Sequence, residues 1–312
     1  MIPLVDVSIA SYKRPDQLRR LLLSLVRQET DGRISIAIHV ADNDAERSAE
    51  PDVRELRESG FDISYDVEPV QNISLARNRS MAQAHGDWIA TIDDDLHADP
   101  RWLINMVDAA ARHGADVVHG WNVSRFPAGT PDYIRRFHER PYPPSGSTDG
   151  YILSTGESLF RRSLIDGMPA PFDPRFGRIG GEDTDFFERL RKSGCRMVFC
   201  REAKVYCDVP AERSTLRWIM QRRMRHGSNL LLLRGEPLTA WFCLRSMLTI
   251  GLRLLYTALC LLCTLYVFCG RVPRRALRRA MLSFVGALLT GAYLFGRVRR
   301  HLGFVYEEYK AR

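Results

Sequence analysis

Between residues 5 and 122, short β-branched runs alternate with amphipathic stretches, and few folds accept that rhythm. Val5, Val7 and Ile9 recur at every second position, as in a strand. Pro15 opens a helix whose Leu18, Leu21, Leu22, Leu25 and Val26 share one face. Ile34, Ile36, Ile38 and Val40 alternate again. The pattern then predicts a helix over 51–59, a strand over 63–67 and a helix over 74–85 ended by Gly86. A strand over 88–92, a helix over 100–113 and a strand over 116–122 follow. Parallel neighbours need a crossover between them, and a helix is the usual one. The expectation is an α/β domain with a mostly parallel, doubly wound, Rossmann-like sheet.

Ligands bind such sheets at the carboxyl ends of the strands. Polar residues collect at those ends: Ser11-Tyr12-Lys13-Arg14, Asp42-Asn43-Asp44 and Asp93-Asp94-Asp95. Two like charges a few ångströms apart cost about 1 kcal/mol in water and several times that near a protein interior. A solvated acidic turn escapes that cost; a divalent cation serving a phosphate-bearing ligand offsets it. Beyond the triplet, Asp99 is placed to cap the next helix, with Pro100 at its first position. The company of two other polar strand ends favours the cation.

Residues 124–150 are rich in Pro, Gly and Ser and read as a long loop or flap. An extended pattern resumes over Tyr151–Phe160, around Thr155-Gly156-Glu157. Within residues 176–194, Gly180 and Gly181 free the backbone, and Asp183 or Thr184 can cap a helix bearing Phe186, Phe187 and Leu190. Capping and dipole matching account for one acid there, at about 1 kcal/mol; Glu182, Asp183 and Asp185 together exceed it. Two short extended pieces are expected over 197–207, then a basic helix over 213–233. Its Arg222, Arg223, Arg225 and His226 suit either a diphosphate or a solvated, lipid-facing side.

Charge separates the two ends of the chain. The net charge is +8, yet residues 234–312 hold 13 Lys/Arg against 3 Asp/Glu, which leaves residues 1–233 at −2. That distribution argues against a nucleic-acid-binding domain and for a basic segment at a membrane surface. Residues 254–270 and 280–296 are charge-free, at the short limit for a membrane-spanning helix. The intervening RVPRRALRR carries five arginines, which the positive-inside rule disfavours on the outer side. An in-plane or re-entrant pair of amphipathic helices is therefore expected over a two-span hairpin, with buried core helices a third option. The seven cysteines are odd in number, and the Cys260/Cys263 pair sits in an apolar run without a second pair, so free thiols rather than zinc are expected. MIPLVDVSIASYKRP has no basic region or cleavage site of a secretory leader. The expected domains are a catalytic 1–234 and a membrane-associated 235–312.

Six segments in order resemble the family 2 inverting glycosyltransferases of GT-A fold, closest to the bacterial exopolysaccharide, succinoglycan-type members. They are VSIASYKRP, VADND, NISLARNRS, ATIDDDLHADPRWL, GRIGGEDTDFFERL and EAKVYCDVPAERSTLRW, spanning about residues 3–234. The resemblance implies that Ser11, Tyr12, Arg14 and Asp42 hold the base and ribose of a nucleotide-sugar, foremost a UDP-sugar, with Arg77 and Asn78 beside it. Asp93 and Asp94 would contact ribose and sugar. Asp95 would ligate Mg²⁺ or Mn²⁺, with Asp93 a second candidate ligand. Asp183, paired with Glu182, would be the general base; Arg222 and Arg225 complete the donor set. The implied acceptor is a hydroxyl of a lipid-linked or saccharide molecule at the cytosolic face of a bacterial inner membrane. This chain has Val205-Tyr206-Cys207-Asp208 where many relatives place a metal-binding His, and QRRMRH lacks the Trp of processive synthases, which points to single addition. A GT-A-like sugar nucleotidyltransferase and a non-catalytic membrane-bound sugar-binding scaffold are the alternatives. The pocket around Trp121, residues 124–150 and Thr155-Gly156-Glu157 would set the sugar and acceptor.

Overall fold

The computed structural model describes residues 2–139, 142–151, 153–235, 237–268 and 274–304. In chain order the elements begin with β1 (Leu4–Ser11), α1 (Pro15–Leu25), β2 (Ser35–Asp42), α2 (Glu50–Glu58), β3 (Ile63–Val67), α3 (Ile73–Met81) and β4 (Trp88–Ile92). Next come β5 (Leu96–Ala98), α4 (Trp102–His113), β6 (Val117–Arg125), α5 (Asp132–His138), β7 (Glu157–Arg161), α6 (Glu182–Lys192) and β8 (Met197–Asp208). Three helices close the chain: α7 (Leu216–Arg234), α8 (Ala240–Phe268) and α9 (Arg274–His301).

Two compact units emerge. The first comprises Met1–Arg125 and Pro141–Asp208; the second comprises Phe126–Arg140 and Val209–Tyr306. This division departs from the 234/235 boundary read off composition, because α7 packs on α9 and so joins the helical unit.

The first unit is one eight-stranded sheet in the order β3-β2-β1-β4-β7-β6-β8-β5. β3, β2, β1 and β4 are parallel, as the alternation requires. Beyond β4 the expectation of a mostly parallel sheet gives way to a mixed one. β7 inserts antiparallel between β4 and β6, and β5 pairs antiparallel with β8 at the far edge. β8 is one long strand, not two pieces; the break is a register shift between His119 and Trp121 on its partner β6. The helix expected at Pro100 starts at Trp102 instead. The chain first makes β5, and Asp99 closes the turn by accepting the Arg101 and Trp102 amides. Residues 124–150, expected to lack structure, contain α5.

Alternation decides what each face of β1 meets. Val5, Val7 and Ile9 join Leu18, Leu21, Leu22 and Leu25 of α1 and Trp102 and Leu103 of α4 in a fully buried core. The opposite face carries Asp6 and Ser8, also buried, and these find partners there. Asp6 accepts from the Gly86 and His85 amides and pairs with His39 at 2.6 Å; Ser8 shares a hydrogen bond with Ser80 of α3. A second apolar cluster, including Phe160, Phe172, Phe186 and Phe187, packs α6 on the sheet.

In the second unit, α8 and α9 run 29 and 28 residues, about 40 Å each at 1.5 Å per residue. The charge-free stretches therefore lie inside longer continuous helices. Little of the most apolar part of either helix is buried, which counts against the core-helix option. Both are long and apolar enough to be candidate membrane spans. α7 crosses α9 closely at Gly227 and Gly296, where a Cβ would overlap the Tyr293 and Met224 carbonyls. Arg297 folds back to the Pro237 carbonyl and the Phe242 ring instead of reaching outward. Cys195, Cys200, Cys207, Cys243 and Cys260 are free thiols; Cys269, the Cys263 side chain and Arg271–Pro273 of the basic connector lie outside the described residues.

Candidate active site

The carboxyl ends of β1 and β4 set the first half of the site. After Ser11 the chain turns through Lys13, at φ 52, a left-handed conformation uncommon away from glycine. That turn lets two groups from the end of β1 meet one triplet. Ser11 Oγ donates to Asp94 at 3.0 Å, and Arg14 reaches Asp94 at 2.8 Å and Asp95 at 3.3 Å. Asp93 accepts from Arg77 of α3 at 3.0 Å. Each acid of the triplet thus has a cation, which is how the repulsion seen in the sequence is met. Burial still dominates at Asp94 and pushes its carboxyl up to about 6, against the opposing charge of Arg14.

The second half is delivered by a loop tied to α3. Asn72 caps α3 through the Leu75 amide and donates to the Pro174 carbonyl. Asn78 holds Phe172 from both sides, donating to its carbonyl at 2.8 Å and accepting from its amide at 2.9 Å. Gly180 (φ 76) and Gly181 (φ 103) follow, two left-handed residues that only glycine adopts without strain. The N-cap of α6 is Gly181, not Asp183 or Thr184, so Glu182 and Asp183 both lie in its first turn. Asp183 accepts from the Thr184 amide at 2.6 Å. Glu182 is buried, with one oxygen 3.7 Å from Arg77 Nε and the other lacking a hydrogen bond. Burial pushes Glu182 up to about 7, Arg77 opposing and Asp183 adding to the shift.

Arg77 therefore joins the two motifs, touching Asp93 with one nitrogen and facing Glu182 with another. Glu157 lies opposite Ile92 in the β4–β7 register, beside the triplet. It is 3% exposed, one oxygen has no hydrogen bond, and burial next to Asp93 and Asp183 pushes it up to about 8. Thr155-Gly156-Glu157 is expected at the pocket that sets sugar and acceptor, but only pairing with β4 brings Glu157 beside the triplet.

Several expected donor residues are already engaged. Asp42 is fully buried and accepts from the Ala49 and Asp44 amides and from Tyr65 Oη, so it organises the loop after β2. Asn78 is taken up by the Phe172 clamp. Tyr12 is half-buried, with Lys13 Nζ 5.6 Å from its ring centre, and Lys13 lies 3.9 Å from Asp44. Arg222 and Arg225 stand on α7 in the second unit, where Arg222 lies over the Trp218 ring. Among the described residues, no three His, Cys, Asp or Glu side chains are grouped to hold a metal ion. Within the late segment, Val205–Cys207 pairs with β5, placing Cys207 opposite Leu96.

A mixed sheet with acids gathered where β1 and β4 end, and a Glu-Asp pair at a helix start, defines an α/β protein of GT-A type. The solved structures of S. aureus TarS agree at the level of fold. TarS 1-349 superposes with a TM-score of 0.53 at 16% identity, covering 97% of this chain and 93% of that one. The same protein in complex with UDP-GlcNAc gives 0.52 at 14% identity, over 96% and 92%. Residues 6–168 match the model of glycosyl transferase family 2. The succinoglycan biosynthesis protein ExoM of Rhizobium meliloti (strain 1021) is 36% identical over 228 residues, 72% of each chain. The chain belongs to glycosyl transferase family 2 and is a glycosyltransferase.

Proposed function

We propose that this glycosyltransferase is inverting and metal-dependent, and moves a sugar from a nucleotide-sugar, foremost a UDP-sugar, to a hydroxyl of a lipid-linked or saccharide acceptor. The observation that carries this reading is the Arg77 bridge, which unites the Asp93 triplet and the Glu182-Asp183 motif in one site. A donor-binding set and a proton-accepting set are what a single displacement needs. Asp183 takes the acceptor's hydroxyl proton while that oxygen attacks the anomeric carbon. The bond to the diphosphate breaks with its electron pair, and the configuration inverts.

Ser11, Tyr12 and Arg14 stand at the end of β1, next to the triplet, where a nucleotide would lie. Asp42 and Asn78 support that pocket through the backbone they hold. The donor chemistry fits Mg²⁺ or Mn²⁺: Arg14 and Arg77 meet Asp93, Asp94, Asp95 and Glu182, while Glu157 and Asp183 add negative charge close by. Such hard cations bind through one or two carboxylates plus substrate phosphates, so no closed three-ligand cage is required. Asp95, with Asp93, would hold the ion, which when bound supplies charge neutralisation to the leaving diphosphate.

A UDP-GlcNAc complex of the TarS neighbour and the succinoglycan-synthesis name of ExoM support a nucleotide-sugar donor and a role in exopolysaccharide assembly. The two apolar helices and the basic tail support membrane attachment. The five arginines of the connector are what favour the cytosolic face of an inner membrane, with the helices in its plane, over a two-span hairpin. The test is nucleoside diphosphate release from a panel of UDP- and GDP-sugars with Mn²⁺ and a membrane extract as acceptor. Release from one donor is expected. Pyrophosphate instead would turn the reading to a nucleotidyltransferase, and no release from any donor to a sugar-binding scaffold.

A further inference from the structure

The second unit contains a recess of about 720 Å³ framed by α7, α8 and α9. Met220 and Met224 line it from α7, Ile250 and Leu254 from α8, and Leu288 and Phe295 from α9. Its rim on α7 carries Arg217 and Gln221, both exposed and one helical turn apart. We propose that this recess binds the hydrocarbon chain of the lipid-linked acceptor, with Arg217 meeting the phosphate that joins chain to sugar. The proposal rests on the reading of that acceptor as lipid-linked.

Three observations carry it. The first is Gly291, on the wall of the recess. Glycine inside a helix is costly in backbone entropy, so it needs a reason. Gly227 and Gly296 have one, because a Cβ on either would strike a facing backbone carbonyl. A Cβ on Gly291 would meet only Ile250 Cδ1, at 4.0 Å. Helix packing does not demand this glycine, and a longer side chain there would enter the recess.

The second is the character of the walls. Two methionines give an adaptable, polarisable surface that suits a flexible chain better than a rigid ring. The third is charge. A guanidinium beside an apolar slot matches a phosphate beside a hydrocarbon, and residues 234–312, with 13 Lys/Arg against 3 Asp/Glu, favour anionic lipid. Bulk lipid has its own surface on the side of α8 away from the recess, where Trp241, Leu252 and Leu255 are 56–69% exposed. The recess is an open groove on another side of that helix, with its own cation. Residues 209–215 alone join β8 to the helix that bears Arg217, so the site follows directly on the catalytic sheet in the chain.

The experiment measures binding of farnesyl phosphate to the full chain in detergent by native mass spectrometry. One equivalent should bind. Gly291→Leu, which fills the recess, should weaken binding at least tenfold, and Arg217→Gln several-fold. Phosphatidylglycerol at equal concentration should not displace the probe. Wild-type affinity in Gly291→Leu, or displacement by phosphatidylglycerol, would overturn the proposal. A diazirine-tagged farnesyl phosphate tests the unaltered protein, so the answer does not depend on how the variants fold. Its label should map to Met220, Met224 or Phe295, and labelling confined to α8's outward side would refute the site. Failure of every donor to release nucleoside diphosphate counts against the catalytic reading alone, since probe binding is scored without a donor.

Discussion

Two acidic regions of the first unit, the triplet after β4 and the first turn of α6, hold their cations at different distances. Asp93, Asp94 and Asp95 each contact an arginine within 3.3 Å. Glu182 stands 3.7 Å from its cation, with an oxygen left without a hydrogen bond. Balanced acids form a frame that keeps its geometry when a charged ligand arrives. Burial raises Asp94 and Glu182 alike, to about 6 and about 7, and Glu182 also lacks a close cation, so protons exchange there near neutral pH. Arg77 belongs to both regions and keeps them distinct: it completes the charge of one and only partly offsets the other.

The sharpest way to test that separation is Asp183→Asn. Turnover should fall by about 10²–10⁴, the usual worth of a positioned base, while UDP affinity by calorimetry changes little. If nucleotide binding disappears with turnover, the two regions are one functional unit and the comparison fails. Arg77→Gln attacks the bridge itself. It leaves Asp93 and Glu182 without their shared cation, at a cost of about 1–3 kcal/mol, read as a lower melting temperature. Arg77→Lys should recover little, because one ammonium does not serve two carboxylates on different sides. An unchanged melt for Arg77→Gln would mean the bridge is incidental.

The third effect is on pH. Glu157 and Glu182 are pushed up to about 8 and about 7 in the folded chain, above their ordinary 4.5. Between those values the folded state binds more protons than the unfolded one, so stability falls as pH rises. Their contribution is whole below about 4.5 and lost by about 8. Glu157→Gln should flatten the melting-temperature slope between pH 5.5 and 8.5 and raise stability at the alkaline end by an amount on the order of a few kcal/mol. A slope that stays as steep would remove Glu157 from the under-balanced group. The smallest effect belongs to Asn78→Ala, which opens the Phe172 clamp at about 1–3 kcal/mol. It should lower kcat more than it raises donor KM, because the loop carries Asp183; the reverse order would place Asn78 at the donor.

Local signals carried most of the first half of the chain. The alternation that produced β1 to β4 and the leucine face of α1 are properties of neighbours in sequence, and they survive unchanged in the fold. The triplet was legible as a candidate site for the same reason: three acids at a strand end pose an electrostatic problem wherever the chain goes. Asp42 and Asn78 were singled out too, but their side chains bind protein groups, Ala49, Tyr65 and Phe172, that the pattern does not name. Gly180-Gly181 announced a break, yet the cap fell on Gly181 because two left-handed residues bring the helix in two or three residues earlier.

The sequence by itself determined the α/β class, the polar carboxyl edge, the acidic triplet, the Glu-Asp helix start and the basic apolar tail, since each follows from periodicity, turn chemistry or composition. Tertiary structure alone decided that β7 enters antiparallel beside β4, that Glu157 thereby joins the triplet, that Arg77 links the triplet to Glu182, and that α7 belongs with α8 and α9. The reason is physical. A strand's tendency to extend is local, whereas its partner is chosen by which distant surface it buries and which distant charge it meets.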